Sequence, residues 1–110
     1  TLAGNMSSEY GAEAAYLLIQ DSYDKGDFED VETKVYAFSD SGTGQTYWLA
    51  KSFIVLGDSF ADRGEFTQAK ATFESVRDGY TPADDSDDVL DNVRMRLDKL
   101  EEMIVEKNNQ

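Results

Sequence analysis

Two glycine-centred turns, 38 positions apart (64 − 26), constrain this chain more than any other feature. Asp24-Lys25-Gly26-Asp27 and Asp62-Arg63-Gly64-Glu65 each interrupt an apolar pattern of helical spacing. Glycine accepts the left-handed backbone that ends a helix. Before the second turn, Leu49, Phe53, Leu56 and Phe60 recur every three or four residues, and after it Phe66, Ala69, Lys70 and Phe73 resume the spacing. Before the first turn, Ala12, Ala15, Leu18, Ile19 and Ser22 make a core face with Tyr16 and Tyr23 to its side; Phe28, Val31, Val35 and Phe38 follow. Superimposing the glycines places Leu18 on Leu56, Ile19 on Gly57, Phe28 on Phe66, Val31 on Ala69, Val35 on Phe73 and Phe38 on Val76. Each segment reads as a helical hairpin that cannot bury its own apolar stripe, so hairpins must stack on one another.

Residues 1–7, with Gly4, Asn5 and a serine, read as a loop or frayed end. The spacing predicts helices near 8–24, 28–39, 46–62, 66–78 and 87–106, grouped as hairpins at 8–39 and 46–78. Glu9 and Glu13 suit the positive start of the first helix. The run at 84–88 reads as an acidic loop that starts the last helix, with Asp85 or Ser86 as its cap. In that helix Leu90, Val93, Leu97, Leu100 and Ile104 form a narrow stripe, opposite Asp91, Arg94, Asp98, Glu102 and Glu106. It spans too few heptads for a coiled coil, so it is expected to pack on the second hairpin as a cap over 84–110, fraying from Lys107.

Composition narrows the chemistry. A chain of 110 residues with 40% hydrophobic content and one Pro makes a single folded domain. The lack of Cys excludes disulfides, and the lack of His removes the usual general base and commonest transition-metal ligand. The net charge of −13 repels nucleic-acid phosphates and anionic membranes, and attracts cations or basic peptides. No apolar run approaches the roughly 20 residues that cross a bilayer. Starting at Thr1 rather than Met, the chain reads as a mature product or a fragment.

Phe53, Leu56, Gly57 and Phe60, followed by Ala69 and Phe73, resemble the tetratricopeptide repeat (TPR) pattern W-x2-L-G-x2-Y…A-x3-F…P. Phe53 stands for the Trp and Phe60 for the Tyr, while Pro82 falls one position late and Val76 replaces a small residue. The first unit departs further, with Ala15, Ile19, Ser22 and Val31 at the Trp, Gly, Tyr and Ala positions. The resemblance covers residues 8–83, and the extended turn at Gly42-Thr43-Gly44-Gln45 accounts for a period longer than about 34 residues. Beyond the repeat pattern, the chain resembles the C-terminal part of large TPR proteins of Bacteroidetes-type bacteria. The resemblance implies an all-α, right-handed solenoid of two antiparallel helical hairpins plus a capping helix. It also implies a larger parent protein in the periplasm or cell envelope, with the cytoplasm as the other possibility.

Leu18, Phe28, Phe53, Leu56, Phe60, Phe66 and Phe73 are expected in the core, with Gly57 permitting close helix approach. Tyr47 and Trp48 are expected to fill the gap left by the long turn, with exposed aromatics at a groove lip as the alternative. In TPR domains the first helix of each hairpin lines a concave groove. By that resemblance Glu13, Tyr16, Gln20, Tyr23 and Asp24 of the first unit face a partner, as do Lys51, Ile54, Asp58, Ala61 and Asp62 of the second; the other reading is that two repeats make too shallow a groove and this surface is simply solvated. Only Lys51 is basic among them, so the clamp that holds an acidic C-terminus is missing. Asp84, Asp85, Asp87, Asp88 and Asp91 lack the spacing of a calcium loop and are read as helix-capping.

No catalytic constellation, cofactor site or metal site emerges. The chain is therefore expected to be a non-enzymatic scaffold that binds a protein or peptide, basic in character. The alternative is a solenoid end that forms a homodimer through the flank around Tyr10, Tyr16 and Leu17.

Overall fold

The turns, the stripes and a buried glycine explain how the five helices lie. The computed structural model describes residues 9–82 and 84–108, with the backbone alone at Glu9 and Tyr10. The helices are α1 (Glu9–Asp24), α2 (Phe28–Asp40), α3 (Thr46–Asp62), α4 (Phe66–Gly79) and α5 (Val89–Asn108). The described residues contain no strand, and the molecule is all-helical. The expected loop at 1–7 lies outside the described residues.

Gly26 and Gly64 have φ of +75° and +77°, the left-handed geometry expected where α1 and α3 end. The N–H of Asp27 and of Glu65 then reaches back to Ser22 O and Phe60 O, both at 2.9 Å, and reverses the chain. Between the hairpins Gly42 has φ of +70°, and the Thr43 hydroxyl accepts from Gln45 N–H at 3.1 Å.

Packing follows chain order. α1 packs on α2, α3 packs on both, α4 packs on α3, and α5 lies on α3 and α4. α3 thus touches every other helix, and eight of its residues are buried, from Ala50 to Phe60. At the α3–α4 crossing, a Cβ on Gly57 would lie 2.7 Å from Phe73 Cζ and 2.8 Å from its Cδ1. Only hydrogen fits there, so glycine sets the separation of these helices. The principal extents of 49 × 32 × 19 Å describe a flat stack of helices.

Five expectations need correction. Leu18 is 47% exposed and its neighbour Leu17 55%, although the stripe places Leu18 in the core. α1 has α2 and α3 on its inner side and no helix beyond, among the described residues, to cover its outer side. Phe28, Phe53 and Phe66 are half-buried at the margins of the core, whereas Leu56, Phe60 and Phe73 are fully inside. α5 begins at Val89, so the Asp87 carboxylate, not Asp85 or Ser86, accepts from the first helical N–H, at 2.9 Å. Lys107 and Asn108 continue the helix instead of fraying. Tyr10 as a flank residue is outside the described side chains, and Tyr16 turns inward onto Trp48.

Candidate functional site: the α1–α3–α5 face

Helix periodicity places Tyr16, Gln20, Tyr23 and Asp24 along one side of α1, and adjoining α3 carries Lys51, Asp58 and Asp62. Two contacts tie the helices together here. The Tyr23 hydroxyl donates to Asp62 Oδ2 at 2.6 Å, and the Tyr16 ring packs on Trp48 at 5.6 Å between centroids. Along α1, Gln20 Nε2 donates to Asp24 Oδ1 at 3.0 Å, and the Tyr16 hydroxyl reaches Gln20 Oε1 at 3.4 Å. Burial pushes the Tyr23 phenol well above its usual range, and its bond to the Asp62 carboxylate pushes it further. Tyr16 is raised as well, chiefly by burial.

α5 completes the face from the other side of α3. Arg96 Nε donates to Asp58 Oδ1 at 2.9 Å and to Oδ2 at 3.1 Å, while its Nη1 donates to the Asn92 carbonyl and side chain at 3.3 and 3.2 Å. Burial raises the Asp58 carboxyl above the usual carboxylate range, and Arg96 opposes that rise. Near the start of α5, Asp88 accepts from the Tyr47 hydroxyl at 3.1 Å and lies 3.6 Å from Lys51 Nζ. Burial alone would raise Asp88, but the Tyr47 hydroxyl and Lys51 hold it below the usual range. Lys51 Nζ sits 5.9 Å from the Tyr16 ring centre and 5.6 Å from that of Tyr47.

Of the expected groove residues, Tyr16, Gln20, Asp24 and Lys51 are linked by contacts, while Tyr23 with Asp62 and Asp58 with Arg96 make two separate pairs. Glu13 is half-buried apart from these, and Ala61 is half-buried against the core. Ile54 is not a surface residue: it is 4% exposed and belongs to the core, because α3 has α1 on one side and α5 on the other. Asp88, Asn92 and Arg96 are the residues the sequence reading missed. Carrying the 38-residue offset one step beyond Asp58 lands on Arg96, and that extension would have found it.

The acidic loop is engaged locally. Asp84 accepts from Ser86, and Asp87 accepts from Val89 N–H and from the Tyr80 hydroxyl. Among the described residues, no three acidic side chains are grouped to hold a metal ion, and no helix is long and apolar enough to cross a membrane. Compared with known proteins, the chain matches no family model, no curated sequence and no solved structure.

Proposed function

We propose that the chain is a non-enzymatic, TPR-like interaction module whose α1–α3–α5 face receives a basic peptide segment. One observation carries the reading: three sets of aromatic and polar contacts cross the helix boundaries on this face, Tyr16–Trp48 with Lys51–Asp88, Tyr23–Asp62, and Asp58–Arg96. Within this face Lys51 pairs with Asp88 and Arg96 with Asp58, Lys99 lines the same cleft as Asp62, and Asp24 and Asp62 keep exposed carboxylates at the negative ends of α1 and α3. A net charge of −13 adds attraction for a basic ligand at long range. The order in which the helices pack, each first helix of a hairpin lying on the pair before it, agrees with a two-repeat solenoid closed by α5. In this reading the module belongs to a larger solenoid scaffold in the cell envelope.

An array of lysine- and arginine-bearing peptides tests the proposal. Asp24→Asn/Asp62→Asn should abolish most binding, whereas Glu74→Gln/Asp78→Asn on α4 removes the same charge and should leave it near wild type. Equal losses in both variants, or no bound peptide, would refute it.

Self-association is the second reading, favoured by the exposed Leu17 and Leu18 and opposed by the charge. Sedimentation equilibrium decides: a monomer at millimolar concentration in high salt rules it out.

A further inference from the structure

We infer that Tyr16, Tyr47 and Asp88 form a pocket for a lysine ammonium of a partner, and that Lys51 fills it in the free molecule as an internal stand-in. The inference rests on the peptide-binding reading and names the group that the face recognises. Two aromatic faces beside a carboxylate are the chemistry that selects an alkylammonium ion.

The pocket does not depend on Lys51 for its shape. Trp48 braces both rings, tilted against Tyr16 at 5.6 Å and edge-on to Tyr47 at 5.1 Å and 81°. The Tyr47 hydroxyl holds the Asp88 carboxylate at 3.1 Å. These walls come from α1, α3 and the start of α5, so the folded core fixes them before any ligand arrives.

Lys51, by contrast, makes only long contacts with these walls, although its side chain is only 22% exposed. Its distances of 5.9 and 5.6 Å to the ring centres lie near the outer limit of about 6 Å for a cation–π contact. Its 3.6 Å approach to Asp88 is long for an ion pair, and that carboxylate is half exposed to water. Displacing Lys51 means turning a flexible, largely covered stem outward until the ammonium reaches water. An incoming lysine would replace one cation by another, with no change of protonation, and settle closer to the rings.

The sole tryptophan, Trp48, reports the exchange. The wild-type protein is titrated with N-acetyl-lysine methylamide and with tetramethylammonium, following the Trp48 indole resonance by NMR. Saturable shifts are expected with both. Lys51→Met should tighten binding about tenfold by removing the competitor, and Tyr47→Leu should abolish it. The side-chain-acetylated, uncharged lysine analogue should leave the resonance unmoved. Absence of saturation in the wild type, an unchanged dissociation constant in Lys51→Met, or equal binding of the uncharged analogue overturns the inference. The wild-type titrations and the uncharged analogue decide the matter even if a variant fails to fold. Peptide binding that survives Tyr47→Leu while neither ammonium probe binds removes the pocket and leaves the wider face standing. The opposite pattern, probes bound and no peptide held, removes the wider face as a peptide site and keeps the pocket.

Discussion

The α1–α2 and α3–α4 hairpins turn through almost the same backbone and differ in what surrounds them. Asp27 has φ −87° and ψ 74°; its counterpart Glu65 has φ −88° and ψ 66°. Yet Leu17 and Leu18 are exposed at 55% and 47%, while the residues 38 positions on, Val55 and Leu56, are buried at 5% and 1%. Around them the same contrast holds. Asp21 is exposed and paired with Lys25, where α3 has the buried Ser59. α3 is covered from both sides, and α1 from one. Position in the stack, not the apolar stripe, therefore decides which members of the pattern are buried, and a charged Asp21 suits the face that meets water.

The hairpins also fill their crossings differently. Where the first has Ile19 and Val35, the second has Gly57 and Phe73, so bulk has moved from the first helix to the second. Both sites are fully buried, which makes these alternative solutions to one packing problem.

The comparison is broken most forcefully at the buried leucine. Leu56→Ala should lower the unfolding free energy by about 2–5 kcal/mol, and Leu18→Ala by no more than about 0.5 kcal/mol, in urea titrations. Similar losses at both would mean that α1 is covered like α3. Gly57→Ala comes next. Its Cβ meets the Phe73 ring, and overpacking of this kind costs about 1–3 kcal/mol. In a Phe73→Val background, which restores the first hairpin's smaller partner, most of that cost should vanish; a double-mutant cycle without coupling contradicts the exchange of bulk.

Arg96→Met should cost about 1–3 kcal/mol near neutral pH, where it leaves the Asp58 carboxylate without its charged donor. Burial raises the folded carboxyl of Asp58 above its unfolded value, so the folded state holds the proton more tightly. Stability from this group is therefore present at low pH and declines as pH rises through the ordinary carboxylate range toward the raised folded value. Losing Arg96 raises that folded value further, so the penalty should shrink as the pH falls through that range; a pH-independent penalty would contradict this. The smallest effect concerns the helix starts. Asp27 accepts from Asp30 N–H at 3.2 Å, whereas Glu65 makes no capping bond from its side chain. Asp27→Ala should cost about 1 kcal/mol, and Glu65→Asp should gain about 0.5 kcal/mol by thermal unfolding.

Much of the architecture was legible because punctuation and periodicity act locally. Gly26 and Gly64 end helices whatever surrounds them, and the helix bounds fall within about two residues of expectation. What was not legible was cover. A stripe records which side chains share a face, so Leu18 and Leu56 look alike until neighbours are placed. The TPR resemblance places Ile54 outward, and it is closed over because α3 packs against both α1 and α5. The α5 side of the site was missed for a related reason. The apolar stripe of α5 drew the assignment, while Asp88 and Arg96 gain meaning only from Tyr47, Lys51 and Asp58, which are far from them in sequence.

Native-state amide hydrogen exchange tests most directly whether α3 is the covered centre and α1 an open edge. The amides of Val55–Phe60 should exchange only through global unfolding and be the slowest in the protein. Those of Leu17–Ser22 should exchange through smaller local openings, with a lower opening free energy and a weaker dependence on denaturant. Equal protection of the two segments, or slower exchange in α1, would contradict the account.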